Sequence, residues 1–195
     1  MKNKSLIITI AVLAIIVIYG VSVYNGLVNK DETVNSAWSN VETQYQRRSD
    51  LIPNLVNTVK GYAKHESQTL EAVISARSKA TQVNINAKDL TAENMKTYQE
   101  AQNSVSGALG KLIAVAEAYP NLKANEQFLE LQAQLEGTEN RINESRRIFN
   151  KEAKDYNASI RRFPNSIIAG LGGFEKYPYF EAAEGTEKAP SVSFE

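Results

Sequence analysis

The sequence has no cysteine and a single histidine, His65. The first absence excludes disulfides, thiolate metal ligands, cysteine nucleophiles and thiol-linked lipid. The second removes most of the remaining metal and acid–base chemistry. An excess of one charge is also lacking. Lys+Arg and Asp+Glu each total 22 in 195 residues, so no net field is available to recruit nucleic acid. Only five prolines and ten glycines break the chain, which points to long regular elements. The length suits one domain with a real core, and nothing in the composition calls for a cofactor.

The apolar residues that are present are unevenly spread. Leu6 to Val23 reads LIITIAVLAIIVIYGVSV, without a charge and interrupted only by Thr9, Tyr19, Gly20 and Ser22. As a helix this run spans roughly 27 Å, the thickness of a bilayer hydrocarbon core. Tyr19 and Tyr24 stand where interfacial aromatics would. A cleaved secretory signal is the alternative, with Gly20 and Ser22 as small residues before the cut. The run is longer than a usual signal core and no A-x-A site follows, so residues 1–24 read as a short tail and a transmembrane anchor. Lys2 and Lys4 precede the span and only Lys30 closely follows it. The positive-inside rule therefore leans towards an extracytoplasmic body. With those two lysines set aside, the rest is slightly acidic, 20 basic residues against 22.

Beyond the span, Val34, Trp38, Val41, Tyr45, Arg48, Ile52, Leu55, Val59 and Tyr62 alternate by three and four, with Val73 and Ala80 further on. That spacing is a helical stripe in a bundle seam. Pro53 interrupts it. Either Ser49-Asp50 caps a new helix with Pro53 in its first turn, or one helix runs to about residue 83 with a kink. Local chemistry favours the turn, unbroken phase the kink.

Residues 84–89 form a polar connector, and Thr91 with Glu93 marks a helix start. Met95, Tyr98, Gln102, Val105, Leu109, Leu112, Ala116 and Tyr119 make a second stripe, stopped by Pro120. Phe128, Leu131, Leu135, Thr138, Ile142, Ser145, Phe149, Tyr156, Ile160 and Phe163 make a third, ended by Pro164. No period-2 strand pattern appears, so the fold class is all-α. Residues 25–163 read as a helical bundle and 164–195 as a Pro/Gly/aromatic C-terminal segment. That segment carries Phe174, Tyr177, Tyr179, Phe180 and Phe194. Its rings either strap along the bundle, buried, or stay exposed to dock a partner or lipid.

Catalytic patterns are missing. Tyr62, not glutamate, stands three before His65, so no di-iron Glu-x-x-His motif forms. No strained nucleophile turn accompanies His65. Gly107-Ala108-Leu109-Gly110-Lys111 has the wrong spacing for a phosphate loop, and Gly170-Leu171-Gly172-Gly173 follows a helix, not a strand. Catalytic, cofactor and metal residues are therefore assigned to none. The basic pairs Arg47-Arg48, Arg146-Arg147 and Arg161-Arg162 have acidic neighbours. Arg48 alone falls on an apolar stripe, where a charge must be paired. Glu139 and Glu152 are its candidate partners.

Taken together the chain resembles the LemA family of bacterial membrane-anchored proteins. The likeness includes Tyr24-Asn25-Gly26-Leu27-Val28, Ala37-Trp38, the block from Gln46 to Val56 (QRRSDLIPNLV), Val59-Lys60-Gly61-Tyr62, His65-Glu66 and Ala76-Arg77. It continues through Glu139-Asn140-Arg141, Tyr156-Asn157, Phe163-Pro164 and Phe174-Glu175-Lys176-Tyr177-Pro178-Tyr179-Phe180. Phe149-Asn150 departs from it, a tyrosine being expected before the asparagine. The resemblance implies a single-pass protein with an up-and-down four-helix body, which favours a turn at Asp50. It implies no enzymatic activity and no cofactor.

The functions that follow are a non-enzymatic adaptor or scaffold at the cell membrane, a sensor or ligand-binding bundle, or an accessory factor to a membrane protease. The expected partners are the bilayer, through one helix, and a protein of unassigned identity. Nucleic acid is not expected, and self-association is compatible with the sequence.

Overall fold

A computed structural model describes residues 2–63 and 65–181. Phe194 and the rest of 182–195 lie outside the described residues. Among those described there are six α-helices, one short 3-10 turn and no strand.

α1 runs without a break from Lys2 to Tyr62 and is about 90 Å long at 1.5 Å per residue. α2 (Ser67–Gln82) folds back after a turn containing His65, and the 3-10 turn Ala87–Asp89 leads to α3 (Ala92–Ala116). The short α4 (Pro120–Lys123) joins α3 to α5 (Glu126–Arg161), and α6 (Asn165–Gly172) follows. Residues 174–181 form no regular secondary structure. α1 packs against α5 and α2, α2 packs against α3, and α6 packs against both α1 and α5.

The helix ends follow local chemistry. Thr91 caps α3 by accepting from Asn94 N–H at 3.2 Å, while the Asn94 side chain accepts from Thr91 N–H at 2.8 Å. The reciprocal partner in this box is thus Asn94. Asn125 caps α5 through Phe128 N–H at 2.9 Å. Pro120 occupies the first turn of α4, where a missing N–H has no cost. α6 ends at Gly173, whose φ of +70° is the left-handed conformation open to glycine.

The turn expected at Asp50 is not there: Ser49, Asp50 and Pro53 all lie inside α1. The reason is a contact from α2. A proline at position 53 leaves the Ser49 carbonyl without its helical donor. Arg77 Nε donates to that carbonyl at 3.0 Å, and to Ser49 Oγ at 3.1 Å. With its free acceptor satisfied, the helix continues.

Two apolar clusters make the core. One joins Leu27, Val34, Trp38, Tyr45, Tyr98, Phe149, Tyr156, Tyr177 and Phe180; the other joins Ile52, Leu55, Val59, Val73, Leu109, Leu112, Phe128 and Leu135. Two stripe residues leave the core. Tyr62 at the end of α1 is largely exposed, and Phe163, counted on the α5 face by its spacing, is 82% exposed. α5 stops at Arg161, so residue 163 no longer follows its phase.

Candidate functional site

Three places hold the residues singled out by the sequence: the span, the buried arginine and the aromatic C-terminal segment. Leu6 to Tyr19 lie on α1 with their side chains uncovered by protein, and this part of the helix is long and apolar enough to cross a membrane. Protein cover begins at Gly20 and Val23.

Arg48 sits where the two core clusters meet, between Tyr45 and Ile52, and its side chain is only 2% exposed. Helical phase places it there, and two neighbouring helices, α3 and α5, satisfy it. Its Nη1 donates to Glu139 Oε1 on α5 at 2.8 Å and to Ser106 Oγ on α3 at 2.7 Å. Its Nη2 donates to the Gln102 carbonyl at 3.1 Å and to Gln102 Oε1 at 2.5 Å. The guanidinium also lies over the Tyr45 ring, 5.0 Å from its centroid. Of the two candidate partners, Glu139 makes the pair; Glu152 instead accepts from Lys151 at 2.7 Å. The burial is lopsided, because the Glu139 side chain remains 34% exposed.

Beside this network a cleft of about 190 Å³ opens between α1, α2 and α3. Glu42, Tyr45, Arg48, Arg77, Tyr98 and Gln102 are among its lining residues. Burial raises the Glu42 carboxyl above its ordinary range. Burial also pushes the Tyr45 and Tyr98 hydroxyls up, with Arg146 and Arg48 pulling partly against it at Tyr45. The tyrosines therefore stay neutral and polar at physiological pH. No cluster of three or more histidine, cysteine, aspartate or glutamate residues able to hold a metal occurs among the described residues. His65 is exposed in the α1–α2 turn, and its neighbour Glu66 accepts from Tyr119 Oη at 3.3 Å.

The aromatic segment runs along α1 and α5, held at two points by asparagines seven residues apart on α5. Asn157 Nδ2 donates to the Tyr177 carbonyl at 2.8 Å, and Asn157 Oδ1 accepts from Tyr177 N–H at 3.0 Å. Asn150 does the same for Phe180, at 2.9 Å and 2.8 Å. Each amide mimics a strand partner, meeting both backbone groups of one residue. Between these clamps Tyr179 is 44% exposed, its hydroxyl accepting from Asn157 Nδ2 at 3.0 Å.

The rings at the clamps are buried. Phe180 stacks on Trp38 at 5.9 Å and meets Phe149 edge-on at 5.6 Å. Arg146 covers its other side, 4.7 Å from the ring centroid. Tyr177 packs edge-on against Tyr156 at 5.2 Å and donates its hydroxyl to Asp31 at 2.8 Å. Burial and that carboxylate both hold the Tyr177 hydroxyl protonated. Phe174 is half-buried, edge-on to Tyr24 at 5.4 Å. Phe149, which departs from the expected tyrosine, is fully enclosed against Trp38 and Phe180, with no role for a hydroxyl in the contacts it makes.

Comparison with known proteins matches most of the chain. A family model described as "LemA family" matches residues 37–194. The chain is 26% identical to "Magnetosome protein MamQ" of Magnetospirillum gryphiswaldense, over 80% of this chain and 64% of that protein. It is 24% identical to "Protein LemA" of Metamycoplasma hominis, over 82% of this chain and 69% of that one. The chain thus spans just under two thirds of the length of the MamQ relatives it matches. The matched stretch takes in the buried arginine, both asparagine clamps and the aromatic strap, and on that footing this chain belongs to the LemA family.

Proposed function

We propose that this protein is a membrane-anchored, non-enzymatic scaffold or adaptor whose helical body is held at a bacterial cell membrane by α1. The observation that carries this reading is the continuity of α1 from the apolar run through the core to Tyr62. One helix serves as anchor and as the spine against which α2, α5 and α6 pack. Such a body keeps a fixed orientation to the membrane and presents α-helical surface to a protein partner. The two leading lysines against Lys30 favour an extracytoplasmic body.

Crosslinking in cells followed by detergent pulldown of the full chain tests it. Reproducible recovery of the same partner supports an adaptor, a membrane protease among the recovered partners would make the role accessory to that enzyme, and recovery of the chain alone contradicts the reading. Because the chain has no cysteine, Asn86→Cys labelled with an impermeant reagent in intact cells reads the orientation directly.

The cleft beside Arg48 and Arg77 favours a second reading, a ligand-binding body. A ligand held there would raise the melting temperature in a thermal-shift screen, and the effect would be lost in Arg77→Met.

A further inference from the structure

Where α1 leaves the span, α6 lies against it. A methyl group on Gly20 would sit 3.7 Å from Ile168 Cδ1, and one on Gly172 would sit 3.2 Å from Tyr24 Cε2. Both contacts join positions 148 apart in sequence, so the two helices run parallel at nearly equal rise. Asn165, the first residue of α6, then stands level with Val17, inside the apolar run. That is about 9 Å below Val23 at 1.5 Å per residue. A depth of about 5–10 Å is that of the headgroup–acyl boundary, and α6, upright beside α1, enters it by its N-terminal end.

The chemistry of α6 matches that depth. NSIIAGLG carries no charge. Ala169 is buried against the body, while Phe163, Ile167 and Leu171, four residues apart, are 82%, 54% and 83% exposed. Immediately before them Arg161 and Arg162 are exposed, placed to meet anionic phosphates as the chain enters the interface. Tyr24 and Phe174, edge-on at 5.4 Å, stand where the helix pair emerges, as interfacial aromatics do.

We propose that Arg161–Gly172 is a second membrane contact: a re-entrant element that dips into the leaflet beside the anchor, seats Phe163 and Ile167 among phospholipid acyl chains and sets Leu171 at their headgroup end. This rests on the reading of α1 as an anchor, and goes beyond it by giving the far end of the chain its own lipid-binding face. The body is then pinned to the membrane at two points, and its tilt about the span is set.

The test uses full chains carrying one introduced cysteine each, labelled with an environment-sensitive fluorophore. They are reconstituted in phosphatidylcholine–phosphatidylglycerol vesicles containing lipids nitroxide-labelled at shallow or deep acyl positions. Leu171→Cys reports α6, Ile15→Cys the span, and Glu130→Cys the exposed far part of α5. Leu171 is quenched several-fold more than Glu130, and more by shallow than by deep nitroxide, while Ile15 is quenched most by deep nitroxide. Quenching at Ile15 with none at Leu171 overturns the second contact and leaves the anchor standing. No quenching at either position overturns both. Crosslinking of Leu171→Cys between chains without lipid quenching gives this face to a second copy, and also overturns the proposal.

Discussion

Arg77 Nε donates to the Ser49 carbonyl at 3.0 Å, the acceptor that Pro53 leaves without a helical partner. α2 thereby compensates a defect in α1. The pairing makes the proline tolerable within an unbroken helix, and it ties α2 to α1.

Arg77→Met should cost about 1–3 kcal/mol, the range for a buried acceptor left unsatisfied. In a Pro53→Ala background the loss should shrink, because the restored N–H at position 53 takes the Ser49 carbonyl. A double-mutant cycle in urea measures this coupling. Additive losses would show that Arg77 does not act through the proline.

Arg48 and Glu139 should respond unequally. Glu139→Ala leaves the cation buried, and a loss of about 3 kcal/mol is expected, near the lower end for breaking a buried pair because Gln102 and Ser106 still bind it. Arg48→Met leaves a carboxylate that is a third exposed and can be hydrated. The smaller loss of about 1–3 kcal/mol then reflects the Gln102 side-chain oxygen left without its donor. Equilibrium unfolding of both variants decides, and equal losses would contradict the asymmetry.

Phe180→Ala opens a hole beside Trp38 and should cost about 3–5 kcal/mol. Trp38 is the only tryptophan, so its emission reports the event directly, shifting to the red in the folded variant. Asn150→Ala removes the backbone clamp on Phe180 and should shift the emission the same way, to a smaller extent. An unchanged spectrum in Phe180→Ala would mean that the strap does not cover the indole.

Glu42 gives a pH dependence of known sign. Burial raises its folded pKa, so the ionised form is the less favoured in the folded chain, and the stability tied to the neutral form is lost as pH rises through that value. Glu42→Gln should therefore leave the melting temperature unchanged near pH 4 and raise it relative to the parent at pH 8. A larger benefit at low pH would reverse the assigned cause.

The parts of this molecule that are local in sequence were legible there. Helical phase put Arg48 on the buried stripe, and Thr91 followed by Glu93 marked the start of α3, because each depends on residues within a turn or two. The bridge from Arg77 to Ser49 spans 28 residues and the clamps from Asn150 and Asn157 reach 30 and 20 residues ahead. No periodicity carries such pairings, so Ser49-Asp50-Pro53 read locally as a turn. The clamps had one faint signal, two asparagines seven apart beside buried aromatics. α6 was hidden for another reason: eight residues containing two glycines and following a proline look like a break. It helps that α1 and the end of α5 support it from both sides.

Everything proposed for this molecule depends on α1 holding the body at the membrane. Alkaline carbonate extraction of cell membranes, with gel mobility compared against a chain beginning at Val23, tests it most directly. The full chain is expected to stay in the membrane pellet and to migrate more slowly than the shortened one. Release into the supernatant together with co-migration would mean that the apolar run is a cleaved signal, and would contradict the anchor.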